Sequence, residues 1–361
     1  MKKASDKRPA TIRDIAKASG FSASTVSIVL NRAPLARYIR KDTKLQIEEM
    51  ARKLGYSPNQ LARSLRSQRN HTIGAMVFDI TDPFCTLILR GVENELYQKG
   101  FVPILADAHN DRDRFERALE LLLERRVEGL IVIANWLCVD INILSDLEKR
   151  NIPTVIIGRD LAASISSAQV DNEAGARMAM EHLFQLGHRN LAFIRGPRML
   201  ADSELRWRGI RGFARTAGLK IDSNLVMELP NLLNPMHGFE AGYQKTMELL
   251  KIGRPFTAVV CFDDVTALGA MKALLSSGIR VPSQCSVIGF DDTIPAALSL
   301  PSLTTIRQPM ESLGSVAAEL IIEASSAAWQ KLESVPIHRL LAPELVRRES
   351  TAPPPKTSSQ L

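Results

Sequence analysis

Thr11–Asn31, TIRDIAKASGFSASTVSIVLN, reads as two short helices joined by a tight turn. Thr11 stands three residues before Asp14, the spacing at which each side chain satisfies a free backbone donor at a helix entrance. Ile12, Ile15, Ala16 and Ser19 follow at helical spacing. Gly20 supplies the positive φ that ends the first helix, Phe21 plugs the corner, and Ser22 accepts the N–H groups that open the second. In that second helix Val26, Val29 and Leu30 turn inward. Ala23, Ser24, Ser27 and Ile28 are left outward, the face a recognition helix presents to the DNA major groove. A capped helical hairpin occurs in many folds, so its surroundings decide. Residues 1–70 hold 16 Lys and Arg against 5 Asp and Glu, a net +11, whereas the whole chain is +7, leaving −4 for the rest. Positive charge confined to one end is the footprint of a nucleic-acid module joined to a domain that is not one.

The remaining chain is ordinary for a soluble protein of two or three compact units. It has 361 residues, 45% hydrophobic and 24% charged. The start is polar and basic and no run approaches the roughly 20 apolar residues a bilayer span requires, so a cytoplasmic location without membrane contact is expected. Cys85, Cys138, Cys261 and Cys285 are widely separated, several in apolar runs, and read as buried small hydrophobes. The six histidines show no metal spacing, and His182 and His188 are expected at the surface. No metal or cofactor is implied.

After the turn, Arg32–Ile39 reads as a basic irregular loop near DNA phosphates, and Lys41–Leu54 as a third helix with Ile47, Met50, Ala51 and Leu54 on one face. Tyr56–Arg66, YSPNQLARSLR, carries Ser57 to cap and Pro58 for a first helical position. At about two turns that helix needs a partner or DNA to form. From 72 to 345 apolar strand-like runs alternate with amphipathic helical stretches, the pattern of α/β units with parallel sheets. Strands are expected at 72–78, 102–106, 129–134, 154–158, 191–194, 258–262 and 286–290, with helices near 87–98, 115–125, 172–186, 238–250 and 266–277. The Pro-, Ser- and Thr-rich end, 350–361, is expected to be a disordered tail.

TIRDIAKASGFSASTVSIVLN followed by LGYSPNQLARSLR resembles the head and hinge of the lactose-repressor family of bacterial transcription regulators. The resemblance continues through IGAMVFDITDPF, VDNEAGA, DDVTALGA, VIGFDD and PSLTTIRQP, covering all but the first ten residues and the tail. It implies a small all-α helix-turn-helix head (1–56), a hinge helix and linker (57–70) and a two-lobed periplasmic-binding-protein-like domain (71–349). The N-lobe would take about 71–165 and 302–333, the C-lobe about 166–301 and 334–349. A sequence-specific repressor is implied, a homodimer on palindromic double-stranded operator DNA, controlled by a small effector, a sugar or sugar derivative, between the lobes. An activator of the same fold, or a corepressor-dependent repressor with a non-sugar ligand, stays open. An enzyme on this fold is disfavoured: no GxGxxG follows a strand and no phosphate-cradling loop or nucleophile–base pair is legible. A transport receptor is disfavoured by the basic head.

Candidate DNA contacts are Thr11, Ala23, Ser24, Thr25, Ser27, Ile28, Asn31 and Arg32. Short polar groups suit phosphates and base edges, and Ala23 or Ile28 suits thymine methyls. Capping and solvation is the competing role for Ser27 and Asn31. The family resemblance makes Leu65 a minor-groove wedge, with Ala62 and Arg66 on groove walls and phosphates. Asp79, Asp82, Asp107, Arg159, Arg206, Asp263 and Asp291 fall at strand ends, where ligands of α/β sheets bind. Carried over by motif, Phe84 would lie under the effector, Arg206 would grip it, and Asp263 with Asp291 would receive its hydroxyls. Asp263 stands where the family usually has asparagine, which favours a polyhydroxy or cationic ligand. Asp264 and Asp292 read as caps or bridges, while Trp136 and Trp207 suit either lobe packing or ligand stacking.

Overall fold

The computed structural model describes residues 10–31, 34–56, 69–109, 111–133, 152–158, 164–198, 200–230, 237–333 and 335–356. Arg32, the hinge residues Ala62, Leu65 and Arg66, and Trp136, Cys138 and Arg159 lie outside them. The chain divides into two units, Met1–Asn70 and His71–Leu361.

The first unit holds α1 (Ile12–Ser19), α2 (Ala23–Leu30) and α3 (Lys41–Lys53), with a 3-10 turn at Pro34–Tyr38 where the sequence suggests only loop. Thr11 and Asp14 form the reciprocal cap: the Asp14 N–H donates to Thr11 Oγ1 at 3.3 Å and the Thr11 N–H to Asp14 Oδ2 at 2.9 Å. Gly20, at φ 77°, ends α1, and Ser22 Oγ accepts from the Thr25 N–H at 3.1 Å to start α2. Ile15, Val26, Val29, Ile47 and Ala51 make the core, flanked by Phe21, Leu30, Ile39 and Met50. Ile39 packs on that core because the 3-10 turn delivers it there.

The second unit has two α/β lobes. In the N-lobe β1 (Thr72–Val77), α4 (Pro83–Gln98), β2 (Val102–Asp107), α5 (Arg112–Glu124), β3 (Leu130–Ile133), β4 (Thr154–Ile157) and β5 (Ser166–Val170) come first. The C-lobe follows with α6 (Asn172–Gln185), β6 (Leu191–Arg195), α7 (Ala201–Thr216), β7 (Val226–Glu228), α8 (Gly238–Lys251), β8 (Ala258–Cys261), α9 (Asp264–Ser276), β9 (Ser286–Ile288), α10 (Ile294–Leu298) and β10 (Thr305–Arg307). The chain then returns to the N-lobe with α11 (Met310–Trp329) and β11 (His338–Leu341), and β12 (Glu344–Val346) closes against β10. The N-lobe sheet runs β11-β5-β4-β3-β1-β2 and the C-lobe sheet β7-β6-β8-β9, every pair parallel. Residues fully removed from water on both faces of β3 and β4, LIVI and TVII, show why such runs carry no alternation.

Five expectations are corrected. Residues 166–170 belong to the N-lobe: SSAQV pairs with β4 on one side and β11 on the other, so its serines are buried as ladder members. The chain leaves the C-lobe at Gln308 rather than near Pro301, because Thr305–Arg307 pairs with β12. Residues 338–341 lie in the N-lobe sheet, not the C-lobe. Residues 350–356 pack on the C-lobe, while 357–361 lie outside the described residues: Ser350 is buried, donates from Oγ to the Val287 carbonyl at 2.6 Å and accepts on its own carbonyl from the Val287 N–H at 2.8 Å. His182 and His188 are buried beneath that end, pairing with Thr351 Oγ1 at 2.9 Å and the Ala352 carbonyl at 2.8 Å. Burial keeps both imidazoles neutral, His182 down to about 4.

Candidate functional site

On the head, Ala23 and Ser24 are exposed at the start of α2, the end that reaches base edges in helix-turn-helix docking. Thr25 Oγ1 is shared with Ser22 Oγ at 2.8 Å, and Asn31 Nδ2 donates to Ser27 Oγ at 3.0 Å. These polar groups therefore have partners within the helix, and Thr11 serves the α1 cap. Sequence reading passed over Arg37 and Tyr38, an exposed pair in which Arg37 Nη2 donates to the Tyr38 hydroxyl at 2.7 Å. Tyr38 is 72% exposed in a basic segment, a signal that composition alone carried.

In the second unit three of the candidate residues meet in the C-lobe. Arg206 comes from α7, Asp263 follows β8 and Asp291 follows β9, so all sit at carboxyl ends of parallel strands or face them. The Arg206 guanidinium is held from two directions: Nε donates to Asn172 Oδ1 at 2.8 Å and Nη1 to the Phe262 carbonyl at 2.6 Å. Asn172 in turn donates to Asp202 Oδ1 at 3.2 Å. The guanidinium lies 3.7 Å from the Phe290 ring centre and 4.7 Å from that of Phe262, in cation–π contact with both. Its Nη2 stands 3.6 Å from Asp291 Oδ1, an ionic approach longer than a hydrogen bond. The side chain is thus fixed before any ligand arrives. Asn172, Phe262 and Phe290 were not singled out from sequence, although they belong to the quoted VDNEAGA and VIGFDD stretches and the residue before DDVTALGA.

The carboxylates are unusually costly. Asp263 and Asp264 are buried and Asp291 half-buried, and removal from water pushes each carboxyl up, Asp264 to about 7. Arg206 offsets this for Asp263 and Asp291. Asp263 caps α9, accepting from the Thr266 N–H at 2.7 Å. Asp264 accepts from the Thr293 N–H at 2.7 Å and from the Thr305 hydroxyl at 2.5 Å, tying the start of α10 to β10. Asp292 ion-pairs with Arg307 and Arg348 at 2.7 and 2.5 Å. Asp264 and Asp292 are therefore bridges, as their sequence context suggests. Trp207 is packed edge-to-face with Phe193, 5.6 Å between ring centres, with the Arg195 guanidinium 5.2 Å from its ring centre, a packing role.

The N-lobe candidates are placed differently. Asp82 is buried as the cap of α4, accepting from the Phe84 N–H at 3.0 Å. Phe84 packs into the N-lobe core with Ile88 and Val92. Asp79 accepts from the Thr81 N–H at 2.9 Å, and Asp107 accepts from the His109 N–H at 3.0 Å. These carboxylates all lie just beyond β1 or at the end of β2, on the carboxyl side of the N-lobe sheet.

Residues 11–59 match the family of bacterial regulatory proteins known as lacI, and residues 180–351 match the periplasmic binding protein-like domain. The HTH-type transcriptional repressor PurR of Photorhabdus laumondii is 33% identical over 349 residues, covering 96% of this chain and 98% of its own. The HTH-type transcriptional regulator GalR of Escherichia coli is 33% identical over 346 residues, 96% of each chain. Among solved structures, the lac repressor dimer bound to operator and the anti-inducer ONPF aligns with a TM-score of 0.81 at 28% identity, covering 96% of this chain and all of that one. The complex of the transcriptional regulator CelR with cellobiose aligns at 0.70 and 28%, covering 95% of this chain. A helix-turn-helix head followed by two parallel α/β lobes, alike along nearly the whole length to such regulators, makes this chain a DNA-binding transcription regulator belonging to the LacI family.

Proposed function

We propose that this regulator is a repressor that binds a two-fold operator as a homodimer, and that a sugar or sugar derivative held between its lobes sets the operator affinity. The observation that carries the effector reading is the braced Arg206 guanidinium facing Asp291 across 3.6 Å, beside Asp263. A ligand hydroxyl can accept from the guanidinium while donating to the carboxylate, a pairing that a neutral polyol satisfies and an anion does not. Phe290 and Phe262 already have a face taken by Arg206, which speaks for a polyhydroxy ligand over a planar aromatic one.

Sugar-bound relatives support the same class: CelR holds cellobiose and a regulator from Enterococcus faecium holds ribose. Base reading falls to Ala23, Ser24 and Ile28, with Thr25, Ser27, Asn31 and Arg32 toward the backbone and Ala62, Leu65 and Arg66 in the minor groove. A second copy of the chain is supported by the apolar run of Ile294, Leu298 and Leu300, which are 71%, 75% and 91% exposed. Cytoplasmic placement accords with access to operator DNA.

Selection of bound sites from random DNA at two salt concentrations tests the first half, since basic heads bind any DNA at low salt. A palindrome with a central pyrimidine–purine step is expected. Thermal-shift titration with cellobiose, D-galactose, D-ribose and hypoxanthine tests the second. Tight binding of hypoxanthine with no sugar binding refutes the sugar reading.

A further inference from the structure

Residues 301–309, PSLTTIRQP, hold the point where the chain leaves the C-lobe. Gln308 lies between β10, the last C-lobe strand, and α11, which packs in the N-lobe. It is buried, 5% exposed, and its Nε2 donates to Asp291 Oδ1 at 2.5 Å. The Asp291 N–H donates to the Ile306 carbonyl at 2.7 Å, so backbone and side chain of Asp291 both grip this crossover. Asp291 and Asp292 have φ values of 119° and 61°, a region that residues with side chains seldom occupy. Such consecutive conformations persist only when surrounding contacts impose them, and they gather at ligand clamps and switches. The carboxylate oxygen that Gln308 bonds is the same Oδ1 that faces Arg206.

We propose that the Gln308 amide and the effector compete for the Asp291 carboxylate, so that ligand binding releases the N-terminal end of α11 and thereby reports to the N-lobe. This rests on the effector reading above. Release at Gln308 has a defined recipient. A Cβ on Gly91 would run into the Glu311 carbonyl, and one on Gly314 into the Ile88 carbonyl. The α4 and α11 backbones therefore touch, and a shift of α11 carries α4 with it as one body. The first turn of α4 holds Asp82 and Phe84, so the N-lobe rim moves with the signal. Asp292 cannot play this part, since Arg307 and Arg348 hold it away from Arg206. Gln308 is a positioning residue: it acts through Asp291.

The test uses the full-length protein and the operator recovered by selection as probe, with no ligand added. Gln308→Leu keeps the volume and removes the donor, and Gln308→Met serves where the leucine variant does not fold. Specific operator Kd is expected to change tenfold or more, while Kd for random-sequence DNA and the circular dichroism spectrum stay as in the wild type. In a double-mutant cycle, Asp291→Asn added to Gln308→Leu is expected to change operator Kd less than twofold further, the non-additivity of two residues that act through one contact. A sequence-selective wild type whose Kd stays within twofold in a folded Gln308→Leu variant, or an additive cycle, overturns the inference alone. A wild type that selects no sequence overturns the parent reading and the inference with it.

Discussion

Replacing Arg206 by methionine keeps most of the buried stem and removes the guanidinium from beside Asp263 and Asp291. Two charge-assisted hydrogen bonds vanish, to Asn172 and to the Phe262 carbonyl, leaving both acceptors without that donor. Each is worth about 1.5–3 kcal/mol, and breaking a buried ion pair costs about 3–5 kcal/mol in total. The two overlap, so about 3–5 kcal/mol is expected where the carboxylates are ionised. The pH dependence has a definite sign. Asp263 and Asp291 already have raised carboxyl pKa values from burial, and losing Arg206 raises them further. A group raised on folding contributes stability that is present below its unfolded value and lost as pH rises through the folded one. The penalty of Arg206→Met must therefore grow as pH rises from the ordinary carboxylate range through the raised folded values, and shrink on acidification. Thermal unfolding of wild type and variant across that range measures it, a domain of this size moving by about 2–4 °C per kcal/mol. A loss below about 1 kcal/mol, or one that does not change with pH, would show that the carboxylates do not depend on this cation.

Ile15→Ala empties the centre of the small head core and should cost about 2–5 kcal/mol, abolishing operator binding while the thermal transition of the second unit is unchanged. Leu65→Ala is expected to weaken specific operator binding with the dimer intact by sedimentation; equal affinity would remove the minor-groove wedge. Truncation after Glu349 strips the Val287 N–H and carbonyl of their Ser350 partners and exposes His182 and His188, so thermal unfolding should fall by several degrees, with the full chain as reference.

Much of this was legible because local chemistry and fold agreed. Thr11, Asp14, Gly20 and Ser22 each did locally what a sequence reader would ask of them. Fully apolar strands such as LIVI and TVII also announced themselves. The failures share a cause. SSAQV and HRLL are strands by pairing, not by pattern: parallel neighbours supply the hydrogen bonds that bury Ser166 and Ser167, and HRLL remains largely exposed at the sheet edge. The ordered end was hidden for the same reason. Serine and threonine resemble a tail until a buried histidine beneath supplies a partner. Within the site, Arg206, Asp263 and Asp291 could be placed by strand ends, but Asn172 and Gln308 matter through orientation of others, which spacing does not encode.

The crossovers show where the lobes can articulate. The first passes at Asp171, whose N–H donates to the Leu341 carbonyl at 2.9 Å, so the first and third crossovers are tied to each other. Asp292 holds the C-lobe ends of the second and third, through Arg307 and Arg348. Rotation at those ends would break buried or half-buried ion pairs together. At Gln308 the chain is held by its amide and by a longer 3.4 Å backbone bond from the Gln308 N–H to the Asp291 carbonyl. Pro309, which follows, has no N–H to lose. The restraint at Gln308 therefore bears on Asp291 itself, the carboxylate that faces Arg206. Effector and operator must then influence each other by equal factors, and a coupling of about 1–3 kcal/mol is the scale that one charge-assisted bond at Asp291 can supply.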